Sequence, residues 1–271
     1  MNRVDFKTVA VANQSGAMEA DTIEKNGRNS KSQTSRKVIN YLIIAFIAVV
    51  TMVACVGVGK GNIVMKAETD KIDFSMSGAG NVIIDWGDGT RETHEIGDDS
   101  RLRHEYSGRS VRTITITGKN IMKLNCSRNE LTSLDVSKAK TLTSLSCGNN
   151  QLSILDLSKN TELTSLSIHN CPLTSLDVSK NNALRYLTCY YNKLTNLDVS
   201  ESNELITLIC QGNQLTGSVL DNLFRMLPNN EGEKIISIIQ NPGEESCNKS
   251  IAMDKGWRFG FQSSDSGFIF D

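Results

Sequence analysis

The sequence has no surplus of charge, few histidines and no catalytic signature. Lys+Arg 29 against Asp+Glu 30 leaves a formal net charge of -1. That balance offers no broad basic field to a phosphate backbone and argues against nucleic acid as a partner. There are 3 histidines and 7 cysteines, with no CxxC pair; an odd cysteine count without that spacing excludes the usual zinc and redox motifs. No GxSxG, HExxH or P-loop occurs, and His94, His104 and His169 fall in no recognisable Ser or Cys nucleophile motif, so no catalytic residue, cofactor or metal is assigned. A hydrophobic content of 39% over 271 residues excludes a wholly disordered chain.

Long apolar runs are scarce too, and the single exception decides topology. Residues 1–37 are rich in Asn, Ser, Lys, Glu and Thr without periodicity, as in a solvated tail. Val38 to Val58 reads VINYLIIAFIAVVTMVACVGV, about twenty uncharged residues, enough for a bilayer core of ~30 Å at 1.5 Å per residue. Arg36 and Lys37 precede it, with Lys25, Arg28 and Lys31 behind, so the positive-inside bias puts the tail in the cytoplasm and everything after Lys60 outside. Three readings are open for residues 38–58: an uncleaved transmembrane helix, a cleaved signal, or a lipoprotein signal. Met52-Val53-Ala54-Cys55 resembles a bacterial lipobox, which implies lipidation at Cys55. All three export the rest of the chain, and the two anchored readings keep it in the cell envelope or at the cell surface.

Residues 62–118 alternate like strands: Ile72 to Met76, Val82 to Trp86 and Thr113 to Thr117. Gly87-Asp88-Gly89-Thr90 follows the second, and Asp-Gly after an apolar strand signals a hairpin. Trp86-Gly87-Asp88-Gly89-Thr90, then His104-Glu105-Tyr106 and an Ile-Thr strand resemble the signatures of PKD-type immunoglobulin-like domains. The resemblance implies a small β module with Trp86 and Tyr106 in its core. A calcium reading of Asp85, Asp88, Asp98 and Asp99 lacks regular loop spacing; turn aspartates are the simpler account.

From 119 to 217 the sequence repeats every 21 residues. Leu131, Leu152, Leu173, Leu194 and Leu215 open successive units; Leu134, Leu142 and Leu145 each recur in step. Leu142-x-x-Leu145-x-Cys147-x-x-Asn150-x-Leu152 matches the leucine-rich-repeat pattern, and the units resemble those of bacterial surface leucine-rich-repeat proteins. Cys126, Cys147, Cys189 and Cys210 fall on one inward rung where Ile168 substitutes, so a small buried hydrophobe explains them as free thiols, although a Cys126–Cys147 bridge is within reach of coils ~4.8 Å apart. Asn129, Asn150, Asn192 and Asn213 share another rung, with Cys171 in that place; their amides can serve backbone groups freed at a turn. Asp135, Asp156, Asp177 and Asp198, each two residues before Ser, read as a column of turns that satisfy themselves.

After Leu215 the pattern changes to a helix from Ser218 to Leu227 before Pro228, a strand Ile235 to Ile239, a short helix Lys249 to Lys255 and a strand Trp257 to Phe261. Residues 218–262 thus read as a C-terminal cap and 263–271 as a loose tail. The expected fold is mainly β: a leucine-rich-repeat solenoid of about five coils, preceded by an immunoglobulin/PKD-like β module and a transmembrane or signal helix, and closed by a small α/β cap. Outward columns of a solenoid are its usual binding face. Here they are mostly small and polar around Tyr186, Tyr190, Tyr191 and His169, with Ile209 and Gln211 beside them. These six are the expected contact residues, because tyrosine gives large contact area at low entropy cost. The expected partner is an extracellular protein, in binding or adhesion; a glycan partner and a spacer without ligand are the alternatives.

Overall fold

A computed structural model describes residues 62–263 and 267–270, with side chains through 260. The expectations for residues 1–37, for 38–58 and for Cys55 lie outside the described residues. No helix among the described residues is long and apolar enough to cross a membrane.

Alternating side chains in the first stretch build a long antiparallel ribbon. β1 (Ile63–Gly78) pairs along most of its length with β4 (Ser100–Gly118), and β2 (Gly80–Asp85) joins β4 to the edge strand β3 (Arg91–Ile96). Ile63, Met65, Ala67, Ile72, Phe74 and Met76 of β1 are buried, as a period of two demands for one face on the core. At the end of β2 the chain turns through Gly87 (φ 79°) and Gly89 (φ 94°). A Cβ at Gly87 would collide with the Thr113 backbone, so only glycine fits there. Trp86 is fully buried, stacked on His104 at 4.7 Å, and its carbonyl accepts the Tyr106 hydroxyl at 2.8 Å. Both residues expected in the core are there.

β1 has a second set of partners. β5 (Ile121–Asn125) and β6 (Leu131–Asp135) pair antiparallel with it, and β5 is also the first parallel strand of the solenoid. Asn129 ties the two regions: its Nδ2 donates to Asp73 O at 2.7 Å and its Oδ1 accepts Asp73 N–H at 2.8 Å. The strands of 62–118 therefore continue one sheet with the coils.

β7 (Ser144–Ser146), β8 (Ser165–Ser167), β9 (Tyr186–Thr188) and β10 (Thr207–Ile209) stack in parallel register, one per coil. The repeating leucines are buried throughout, and Cys126, Cys147, Ile168, Cys189 and Cys210 are all at 0% exposure. Burial pushes the Cys126 and Cys210 thiols up to about 12. All the described cysteines are free. The four aspartates each accept the N–H of the serine two residues on, at 2.9 Å, which holds their carboxyls below the usual range and settles their role as turn formers.

The asparagine rung works as expected. Asn150 Nδ2 donates to the carbonyls of Cys126 (3.0 Å) and Cys147 (2.8 Å), and its Oδ1 accepts the N–H groups of Asn129 and Leu131, both at 3.0 Å. Asn241 extends the rung into the cap by donating to Cys210 O at 3.0 Å. A second ladder at the opposite corner escaped the sequence reading. Asn160 donates to Val136 O and Ala139 O, and Asn181 to Leu157 O and Asn160 O. The signal was the same period, blurred because Ala139 and Ser202 occupy the flanking rungs. At Cys171 the first ladder is weak: its thiol reaches Cys147 O only at 3.7 Å, and the Asn192 Oδ1 beside that coil is buried without a partner. Cys171→Asn is expected to add about 1 kcal/mol of stability by restoring an ordinary amide hydrogen bond, read as a higher urea midpoint at unchanged slope.

The cap comprises α1 (Gly217–Met226), β11 (Lys234–Ser237), α2 (Ser250–Met253) and β12 (Trp257–Ser263). α1 buries Leu220, Leu223 and Phe224, and Phe224 meets Phe259 edge-on at 5.6 Å. The expectation of a loose tail needs correction: β13 (Gly267–Phe270) pairs antiparallel with β12. Phe268-Ile269-Phe270 has the apolar and β-branched composition that suits a strand.

Candidate functional site

Two geometric features of each coil shape the strand face. Outward positions line up in register, so Ser144, Ser165, Tyr186 and Thr207 form one column and Ser146, Ser167, Thr188 and Ile209 the next. Past the strand each coil then turns through a left-handed residue: Arg128, Asn149, Asn170, Tyr191 and Gly212 have φ of 62, 54, 56, 53 and 62°. Asn and Gly are the residues that tolerate this region; a bulky side chain there is strained. Arg128 and Tyr191 are the two exceptions in this column, and Tyr191 is the aromatic one.

Three of the six expected contact residues come together. His169 and Tyr190 stack at 4.5 Å with planes 15° apart, and Tyr191 meets Tyr190 edge-on at 5.3 Å. Glycine makes room for both ends of this shelf. Any Cβ at Gly148 would strike three atoms of the His169 ring, and one at Gly212 would strike the Tyr191 ring. Tyr186, on β9, is 45% exposed and Tyr191 42%, while His169 and Tyr190 are half-buried.

Polar groups lock the histidine. Asn170 Nδ2 donates to Asn149 Oδ1 at 2.8 Å, and Asn149 Nδ2 in turn lies 2.9 Å from His169 Nε2. That leaves His169 Nδ1–H to donate to Ser167 Oγ at 3.1 Å, which is the neutral tautomer. Burial, and then the Arg128 charge, hold the imidazole below its ordinary pKa of 6.5. Sequence reading did not find Asn149, Asn170 or Gly148 as parts of this shelf. Asn149 and Asn170 follow the 21-residue period; their coupling to His169 depends on where one ring lies.

Ile209 and Gln211 do not belong to the exposed face. Ile209 is 2% and Gln211 8% exposed, and Ser237, the register partner of Ile209, is 1% exposed. Ser237 Oγ donates to Gln211 Oε1 at 2.9 Å. The strand face is closed at its C-terminal end, and both residues serve packing there. At the other end a polar recess of about 260 Å³ is lined by Ser75, Ser77, Asp98, Asp99, Ser144 and Ser146.

The acidic residues of the hairpin do not converge. Asp85 caps Gly87 N–H and pairs with Arg91 at 2.8 Å, whereas Asp88 accepts from Thr90 and lies 2.7 Å from His104 Nε2. Among the described residues no cluster of His, Cys, Asp and Glu is arranged to hold a metal ion.

No protein-family profile and no curated protein sequence matches the chain. Among solved structures, the functional domain of InlJ from Listeria monocytogenes, described as including a cysteine ladder, is 33% identical over 44% of this chain at a TM-score of 0.39. An internalin, InlF, of the same species is 23% identical over 39% (TM-score 0.36), and a leucine-rich-repeat protein of Leptospira interrogans is 24% identical over 35% (TM-score 0.34). This chain covers 25%, 31% and 26% of those proteins' lengths. The stacked coils described above, with one short parallel strand each, give this chain a fold like that of a leucine-rich-repeat solenoid.

Proposed function

We propose that this is a non-enzymatic, envelope-anchored protein that binds another protein, as in adhesion, through the shelf of Tyr186, Tyr190, Tyr191 and His169. The observation that carries the reading is Tyr191. A tyrosine at φ 53°, at a position where three of the four sister coils use Asn or Gly, costs of order 1–3 kcal/mol, and such strain collects at binding sites. Exposed aromatic anchors of this kind are typical of protein contact centres.

Ring orientation favours a protein over a sugar. His169 has one face on Gly148 and the other on Tyr190, so its faces are spent within the shelf and edges point outward. Stacking on a sugar ring needs an open aromatic face. The same proposal retains residues 38–58 as the membrane anchor, with the N-terminus cytoplasmic if uncleaved, and reads β1 to β4 as a PKD-like module capping the first coil, since no coil buries its apolar face alone.

The test uses the full chain and its Tyr186→Ala/Tyr190→Ala variant on an array of extracellular proteins and on a glycan array. Loss of two anchors is expected to weaken a protein binder by about 30-fold or more, equivalent to about 2 kcal/mol. Equal binding by both chains overturns the shelf; a glycan signal that the double variant abolishes transfers the site to carbohydrate.

A further inference from the structure

We infer that the shelf is proton-operated: it docks its partner with His169 neutral, and charging His169 reverses the Asn170–Asn149–His169 amide chain and weakens docking. The inference rests on the shelf being the binding surface.

In the neutral state every polar atom of the chain has one assigned direction, from Asn170 Nδ2 to Asn149 Oδ1, from Asn149 Nδ2 to His169 Nε2, and from His169 Nδ1–H to Ser167 Oγ. A proton on Nε2 turns the acceptor into a donor that faces another donor. Relief requires the Asn149 amide to rotate, which sets its Nδ2 against Asn170 Nδ2, and so the Asn170 amide must rotate as well. Asn170 is exposed and free to do so, and the surface it presents changes from one polarity to the other.

The groups around the ring oppose the charge. Arg128, two coils earlier, is the charged neighbour that acts on it; Gly148, Asn149 and Ser167 are uncharged. Tyr190 titrates above its ordinary value because of burial and Tyr191, so its phenol stays neutral over the range concerned. A cation over the Tyr190 ring keeps some attraction, so the stack survives while its charge and amide polarity change. A partner buried against the shelf must then desolvate that cation, which costs affinity. The folded pKa lies below 6.5, so the neutral arrangement is fully present above pH 6.5 and is lost as pH falls through the folded pKa.

An NMR titration of the full chain reads the switch without a partner. The His169 midpoint is expected below 6.5, with the Asn149 and Asn170 side-chain amides moving at the same midpoint. Asn149→Asp supplies a carboxylate that accepts from the cation and is expected to raise the midpoint by about one unit or more. Protein binders found on the array at about pH 7.5 are expected to weaken about tenfold at about pH 5, and His169→Phe, which keeps a ring but not the titration, to reduce that change to about twofold. A midpoint at or above 6.5, amides that do not follow it, or an equal pH profile in His169→Phe overturns the inference. Absence of any shelf-dependent protein binder instead removes the proposed function, and the titration still reports on the chain by itself.

Discussion

Asn150→Leu is expected to destabilise the protein by about 4 kcal/mol, since each orphaned buried group costs ~1–3 kcal/mol. The substitution leaves the Asn129 and Leu131 N–H groups and the Cys126 and Cys147 carbonyls without their partner. These groups lie at the strand end of two successive coils, at 6% exposure for Asn150 itself, so water cannot readily replace the amide. Equilibrium urea unfolding measures the loss. A change under about 1 kcal/mol would show that the coils find other partners, and the ladder would no longer explain why asparagine recurs there. Together with the opposite sign expected for Cys171→Asn, the pair separates a hydrogen-bond role from simple filling of space.

Trp86→Ala is the second large effect, at about 3–5 kcal/mol for removing a fully buried tryptophan. The indole packs on His104 at 4.7 Å and tilts against Phe74 at 5.8 Å, and Phe74 belongs to β1, which also carries β5 and β6. Loosening β1 removes the lid from the first coil. Hydrogen exchange is therefore expected to speed up at Leu124 and Leu145 well before Leu187, because stability in a solenoid spreads through nearest neighbours. Uniform loss of protection along all coils would mean that the cap and the coils fold as one unit and that Trp86 has no local role.

The period of the leucines made the solenoid legible, because a rung that recurs every 21 residues has one structural cause. The inward cysteines were legible for the same reason. Columns are less informative at an end. Ile209 and Gln211 occupy the same outward registers as Thr188 and Tyr190, but the face is closed where β11 follows, and a pattern shared by all coils carries no notice of that. The shelf itself was half legible. Tyrosines in adjacent columns marked the place, while the glycines beneath the rings and the amide chain holding His169 depend on side-chain directions. β13 was missed because four residues near a chain end give too short a pattern for a period.

On the proposed placement outside a cell, the rung of thiols at 0% exposure has a consequence. Held protonated and away from solvent, Cys126, Cys147, Cys189 and Cys210 are protected from oxidants for as long as the coils stay stacked. A coil that opens in an oxidising medium exposes several neighbouring sulfurs at once, and any bond or oxide formed there no longer fits the space between layers. Unfolding would then be a one-way event, and persistence of the folded chain would be set by how slowly the first coil opens and not by the balance between folded and unfolded chains.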